Sequence, residues 1–279
     1  MTNLVADALA SEQLDEAIAL MRGARVAVLT GAGVSTDSGI PDYRGEGAPR
    51  RSPMTFQTFL ASEHARKRYW AGSHLGWRHF GSARPNAGHR ALAGLEAAGA
   101  VTGLVTQNVD GLHRRAGSAH VVELHGTMDR VVCLACGQYY ARQAIADRLE
   151  ALNPGLDPER AVRLAPDGDA EVDDIDAMRI PDCTVCGGIL KPDVVFFGEF
   201  VPGETFEAAR SIVAGADVLL VAGSSLVVNS GIRLIEQARR RNLPIIVINR
   251  GVTKGDGRAA VKLDAGTTET LTAMAAALA

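Results

Sequence analysis

The stretch Val26 to Gly45, VAVLTGAGVSTDSGIPDYRG, decides the fold. Its β-branched run Val26 to Thr30 has the composition of a buried strand, and Gly31-Ala32-Gly33 imposes a sharp turn at the end of it. A strand feeding such a turn predicts backbone N–H groups that face an anion, hence a nucleotide-phosphate loop; for an isolated GxG the alternative is a plain strand-to-helix turn. The dehydrogenase fingerprint would need a third small residue and an acid about 20 positions further on. Here Thr36 takes the third position and no second strand ending in an acid follows. Instead Ser38 to Arg44 places Pro41, Asp42 and Arg44 beside the loop, a set suited to the far end of a dinucleotide.

Upstream, residues 11–22 carry Leu14, Ile18 and Met21 at helical spacing, with Ser11 as the expected N-cap and Glu12 and Asp15 in the first turn. Downstream, residues 45–80 turn Arg-, His- and aromatic-rich and read as a helical insertion covering the nucleotide; its Trp and Tyr are expected in the core. Pro85-Asn86 ends that insertion, and His89 to Ala98 has a short helical pattern. Val101 to Thr106 then delivers Gln107-Asn108-Val109-Asp110, and His120 to Leu124 delivers His125-Gly126. Lys191 to Glu199 reads as a resumed apolar strand with an exposed Gly-Glu end. Val218 to Val221 leads into Gly223-Ser224-Ser225, Ile245 to Ile248 into Asn249-Arg250, and Val261 to Leu263 into Asp264. Gly231 to Arg241 reads as a helix stopped by Asn242 and Pro244. Strand, small polar loop and helix in repetition predict an α/β protein with a doubly wound parallel Rossmann-like sheet whose loops converge on one crevice. Residues 1–44, 85–126 and 190–279 are expected to form this large dinucleotide-binding unit, with 45–84 and 127–189 forming a smaller zinc-binding and helical one.

All four cysteines fall in two C-x-x-C units, Cys133/Cys136 and Cys183/Cys186, each followed by Gly. This is the pattern of paired zinc knuckles and predicts one tetrahedral, structural zinc ion with no open ligand position; a redox C-x-x-C is the alternative. The spacer between the pairs contains an acidic segment, Asp167 to Asp176. Composition excludes little else. A chain of 279 residues, 47% apolar and 22% charged with net charge −3, is an ordinary globular protein without the charge of a nucleic-acid or membrane binder. Lysine stands only at positions 67, 191, 254 and 262. No signal or transit peptide pattern precedes the first helix, so a cytoplasmic protein is expected, with a monomer as the default state.

The predicted crevice gathers Gly31, Ser35, Ser224 and Ser225 for phosphates, Asn249 for a ribose or adenine edge, and Asp42, Gln107, Asn108 and Asp110 around His125. His125 alone among the seven histidines directly follows a strand expected to be central, and this makes it the candidate general base. GAGVSTDSGIPDYR, TQNVD, ELHG, the cysteine pairs, KPDVVFFGE, GSSLVV and the Asn249 loop, in this order, closely resemble the sirtuin family of NAD-dependent protein deacylases, over about Val26 to Leu271. Tyr43, where many members carry Phe, together with PDVVFFGE, Leu152 to Gly155 and Leu164 to Asp169, is most similar to the class II branch of the mitochondrial lipoamidase and ADP-ribosyltransferase type.

The resemblance implies NAD as co-substrate, held by Gly31, Ala32, Gly33, Ser35, Ile40, Asp42, Tyr43, Arg44, Gln107, Asn108, Asp110, Gly223, Ser224, Ser225, Asn249, Arg250 and Thr267. It implies His125 and Asn108 as catalytic residues, and release of nicotinamide, free lysine and O-acyl-ADP-ribose. An acyl-lysine peptide would add as a strand at Val194, Val195, Phe197 and Gly198, opposite the Gly223 to Val228 loop. Family members that prefer succinyl groups carry Tyr-x-x-Arg in the first helical insertion; Tyr69 matches the Tyr, but Gly72 stands where the Arg would be, so neutral acyl chains are expected. Mono-ADP-ribosyl transfer at the same site is the alternative activity. A nicotinamide oxidoreductase suffers from the broken fingerprint, and an inactive NAD-binding regulator from the presence of Asn108, Asp110 and His125.

Overall fold

The computed structural model describes residues 2–42, 53–154 and 175–279. Tyr43 and Arg44 lie outside the described residues, as do the segment Leu164 to Asp169, Gly155 and most of the acidic stretch. Among the described residues no helix is long and apolar enough to cross a membrane.

Six strands form a fully parallel sheet: β1 (Val26–Thr30), β2 (Val101–Thr106), β3 (Val121–Glu123), β7 (Val218–Ala222), β8 (Ile245–Ile248) and β9 (Val261–Leu263), in the order β3-β2-β1-β7-β8-β9. β1 is buried at every residue because both sheet faces are covered. Its alternate side chains separate cleanly. Val26 and Val28 pack with Met21 of α1 (Thr2–Met21), Leu92 of α4 (Ala87–Ala97) and Leu271 of α9 (Thr267–Leu278), whereas Ala27 and Leu29 pack with Val213 of α7 (Gly203–Ala214) and Leu234 of α8 (Asn229–Arg240). Thr30 of β1 is level with Thr106 and with Ala222, so three loops leave the sheet at one height. The strand order reverses at β1, which opens a crevice between the β1 and β7 loops, where open α/β sheets bind their ligands.

A second, antiparallel sheet of three strands, β5-β4-β6, consists of β4 (Gly126–Cys133), β5 (Tyr139–Ala141) and β6 (Leu190–Val194). Its apolar face packs with α2 (Phe56–Ala61), α3 (Glu63–Ser82) and α6 (Arg142–Leu152) around Phe59, Trp70, Val131, Ile145 and Phe196. The aromatics of the helical insertion are core residues, as expected: Trp70 is 1% exposed and its indole N–H donates to the Leu190 carbonyl, 3.3 Å away, tying α3 to β6.

Four expectations are corrected. Ser11 does not cap the first helix, which begins at Thr2, because the Ala-rich turn before it is itself a good helix former. β3 is an edge strand of the parallel sheet, not a central one, since β2 alone pairs with it. The strand at Leu190–Val194 pairs with β4 in the small sheet and does not extend the parallel one. Nor is its Glu199 end free in solvent. The buried Lys191 ammonium needs a counter-charge, and Glu199 supplies it at 2.8 Å while also accepting the Phe196 N–H. Between β2 and β3 the chain forms one short helix, α5 (Leu112–Arg115).

Candidate active site

The crevice floor is built from backbone meeting backbone. Gly33 N–H donates to the Gly223 carbonyl at 2.9 Å, and Gly31 N–H donates to the Ala222 carbonyl at 3.1 Å. A Cβ on Gly33 would lie 2.8 Å from Gly223 Cα, and one on Gly223 would lie 2.4 Å from Val34 N. Only glycine fits at these two positions, and Gly223 also sits in the left-handed region at φ 64°. The expectation that the turn frees its N–H groups for an anion is corrected in part. Gly31, Gly33, Val34 and Ser35 all spend theirs within the chain, leaving Ala32 N–H as the donor without an intrachain acceptor among the described residues.

Above this floor lies a cavity of about 1300 Å³, large enough for a dinucleotide and part of a second substrate. Gly31, Ala32, Gly33, Asp42, Gln107, Asn108, His125, Gly223, Ser224, Ser225, Asn249, Arg250 and Thr267 all line it, as do Tyr69, Val194, Val195, Phe197 and Gly198 at the other end. Ser35, Ile40 and Asp110 do not reach the cavity surface. They sit behind it, with Ile40 in the core of the small sheet. Thr267 Oγ1 donates to the Gly33 carbonyl at 3.0 Å, so α9 braces the loop from outside. The Asn249 amide turns onto the Arg250 carbonyl at 2.7 Å, and Arg250 pairs with Glu269 at 3.1 Å.

Behind the loop runs a buried chain of hydrogen bonds. Asn108 Nδ2 donates to the Gly31 carbonyl (3.0 Å) and to Ser35 Oγ (3.1 Å), and Ser35 Oγ donates to Asp110 Oδ2 (2.7 Å). Asp110 Oδ1 accepts the Leu112 N–H at 2.9 Å. Burial raises the Asp110 carboxyl above its ordinary range, while the bonds from Leu112 and Ser35 oppose that rise. From the other side, His113 Nε2 meets Thr30 Oγ1 at 2.9 Å, Thr30 Oγ1 donates to Thr106 Oγ1 at 2.9 Å, and Thr106 Oγ1 accepts the Asn108 N–H at 3.1 Å. Asn108 is therefore held by both its backbone and its side chain.

His125 follows β3 and its ring lies half-buried against the cavity. Its Nδ1 is 3.0 Å from the Gln107 carbonyl, which can only accept, so Nδ1 carries the proton and Nε2 presents the lone pair. Burial lowers the imidazole pKa below 6.5, and the Gln107 bond partly offsets this. A neutral ring with one aimed lone pair is the state a general base requires. Ser224 Oγ donates to Gln107 Oε1 at 2.6 Å, which joins the β7 loop to the strand end that orients the ring.

Several cavity residues were not legible in the sequence. Ser230 bonds the His125 ring, and Arg233, stacked over Phe206 at 3.9 Å, faces the cavity from α8. Neither carries a local signal, since each is a polar residue in an ordinary helical pattern. Tyr69 packs edge-on against Phe59 and lies 4.7 Å from the Phe196 ring, so it is a core residue that also forms part of the cavity wall. Gly72 is buried in α3.

The four cysteines converge at the edge of the small sheet, their Sγ atoms all within 4.8 Å of one another. Each C-x-x-C turn closes on a glycine in the left-handed region, Gly137 at φ 73° and Gly187 at φ 72°. Gly188 lets the two turns meet, because a Cβ there would lie 2.7 Å from Ala135 Cβ and 3.0 Å from Cys133 Sγ. The nearest sulfurs are 3.5 Å apart, beyond any disulfide bond, and all four thiols are free. The Tyr140 hydroxyl holds the Cys183 thiol down to about 6, whereas hydrogen bonds with neighbouring sulfurs push Cys186 up to about 12. Four thiolates this close need a cation between them, and an all-sulfur tetrahedral set fits zinc.

Comparison with known proteins agrees with this geometry. The Sir2 family profile matches residues 31–230. NAD-dependent protein deacetylase 1 of Mycobacterium avium (strain 104) is 52% identical over 264 residues, covering 93% of this chain and 94% of its own. The protein of the same description from Streptomyces coelicolor is 55% identical over 247 residues, covering 87% and 82%. Among solved structures, one described as the structural basis for the mechanism and regulation of Sir2 enzymes superposes with a TM-score of 0.75 at 31% identity, over 96% of this chain and 98% of its own. A Sir2–p53 peptide–NAD+ complex gives 0.72 at 30% identity, over 92% and 94%.

Proposed function

This chain belongs to the Sir2 family, and from that premise we propose how its crevice carries out NAD-dependent protein deacylation. The enzyme is an NAD-dependent protein deacetylase with a four-cysteine zinc site. NAD supplies a labile sugar-to-nicotinamide bond and the hydroxyl that receives the acyl group. The zinc, held by Cys133, Cys136, Cys183 and Cys186, ties the two knuckles of the small sheet together and has no open position for chemistry.

The geometry supports a role for each of these residues. Gly31, Gly33 and Gly223 keep side chains off the floor, which lets backbone and Ala32 N–H approach a pyrophosphate. Asn108, fixed through Gly31 and Ser35, and Asp110 behind it set the walls of the nicotinamide end, where a dry site with fixed dipoles favours bond cleavage. His125 is the base that deprotonation of the hydroxyl requires, and Gln107 holds the ring in the tautomer that can accept a proton at Nε2. The acyl-lysine peptide adds as a strand between Val194–Val195 and the Gly223 to Val228 loop. Exposed Phe197, Phe200, Val227 and Val228 around that end of the cavity support this reading, as does a solved relative described with a peptide and NAD together.

We place the chain on the class II branch on the strength of Tyr43 and PDVVFFGE, and in the cytoplasm, where free thiols persist. Gly72 stands at the arginine position of the Tyr-x-x-Arg pair, so neutral acyl groups should be removed faster than succinyl. The observation that carries the reading is the His125 ring, with Nε2 as its basic atom, on the wall of the glycine-floored cavity. A panel of acetyl-, octanoyl-, lipoyl- and succinyl-lysine peptides with NAD, its products identified by mass spectrometry, tests it. O-acyl-ADP-ribose should appear and should fall about 10²- to 10⁴-fold in His125→Ala. An ADP-ribosylated protein formed without any acyl requirement would overturn the assignment.

A further inference from the structure

His125 Nε2 does not face the cavity bare. Ser230 Oγ lies 2.9 Å from it. A ring nitrogen has one in-plane lone pair, and the Nδ1–H bond to the Gln107 carbonyl prevents the ring from turning to offer another basic atom. Ser230 is 8% exposed, lines the same cavity and sits in the first turn of α8. The helix fixes its backbone, with Gly231 N–H and Ile232 N–H both donating to the Val228 carbonyl. The partial positive charge at the start of a twelve-residue helix also favours electron density on its oxygen.

We propose that Ser230 is a catalytic residue that relays the proton from the substrate hydroxyl to His125, an inference that rests on the reading of His125 as the base. The substrate O–H bond breaks as its proton passes to Ser230 Oγ, while the proton already on Ser230 passes to His125 Nε2. The substrate oxygen keeps the electron pair and forms its bond to the acyl carbon as the π pair of that carbon's bond to the lysine nitrogen moves onto the nitrogen. Serine ends as it began, with one proton, and the imidazolium is held by its two bonds, to Gln107 and to Ser230. The serine is thus a built part of the base, reached by no local sequence pattern because 105 residues separate it from the ring.

The experiment compares the full-length, zinc-loaded wild type with Ser230→Ala, Ser230→Thr and His125→Ala. Three quantities are followed: nicotinamide release, O-acyl-ADP-ribose formation, and the nitrogen NMR signals of the His125 ring in the ligand-free protein. Loss of the hydroxyl should free Nε2 and move its resonance in Ser230→Ala while Ser230→Thr stays near wild type. Acyl transfer should fall about a hundredfold in Ser230→Ala. In a single turnover nicotinamide release should remain near wild type, as should the melting temperature, and Ser230→Thr should recover the transfer. Acyl transfer in Ser230→Ala as fast as wild type, an equal loss in both steps, or an unmoved ring resonance would each overturn the relay. Full activity in His125→Ala would remove the base itself, a failure of the functional reading and distinguishable from these.

Discussion

The glycine loop after β1 and the cysteine turns around β4 both use glycine to bring two distant chain segments into contact, yet they are held by different forces. At the crevice, Gly31 and Gly33 meet Gly223 through backbone hydrogen bonds beneath a sheet whose strands are buried on both faces. At the cysteine cluster, Gly188 meets Ala135 at an exposed sheet edge where Cys136 and Cys186 face solvent. The first arrangement is stabilised by apolar burial and can keep its shape without a ligand. The second brings four thiols together and depends on a metal ion for its net stability. On the proposed reading, chemistry would sit on the self-supporting region and the metal would support the surface that receives the peptide.

Metal removal should give the largest effect. Zinc-finger modules draw about 10 kcal/mol or more from their metal, so chelation or Cys183→Ser should release one zinc per chain and melt the β5-β4-β6 sheet. The cavity rim from Val194 to Val201 continues from β6, so peptide turnover should be lost with it. NAD binding to the β1–β7 crevice should persist in a calorimetric titration, and its loss in parallel would show that the two regions are not separable.

Gly33→Ala comes next. Its Cβ would meet Gly223 Cα at 2.8 Å, and backbone cannot swing aside as a side chain can, so a loss of about 1–3 kcal/mol is expected together with weaker NAD binding. Gly187→Ala is the matched change at the cysteines. Nothing lies within 4 Å of its Cβ, so only the left-handed backbone is penalised, by about 1–2 kcal/mol. Denaturant melts of both variants should show Gly33→Ala losing NAD affinity and Gly187→Ala keeping it.

The smallest effect is the position of the acid limb of activity. His125 must be neutral to accept a proton, and burial lowers its pKa, so the active form is retained above that lowered value and lost only as pH falls through it. The acid limb of kcat/KM should therefore lie below pH 6.5. A limb above that value would assign the titration to another group.

The parallel sheet was readable because β1, β2, β8 and β9 are short apolar runs closed by glycine or polar loops, a local signal. The cysteine cluster was readable from spacing alone. What escaped the sequence depends on distant pairing. The Gly126–Cys133 strand mixes Asp129 and Arg130 with valines, and only its pairing with Leu190–Val194 makes it a strand. The edge position of β3 is set by sheet order, which no local pattern encodes. Glu199 looked like a solvated terminus until the buried ammonium of Lys191 required it. Ser230 and Arg233 gain meaning only when α8 is laid across the mouth of the crevice.

The contact between Gly33 and Gly223 has a mechanical consequence. Because peptide groups 190 positions apart in the chain touch with no side chain between them, the crevice floor has no rotamer to yield. The facing lip at Phe196–Val201 and Val227–Val228 is instead lined by side chains, Phe197, Phe200, Val227 and Val228 among them exposed. On the proposed reading, the nucleotide would meet a preset surface and the protein chain one lined by side chains.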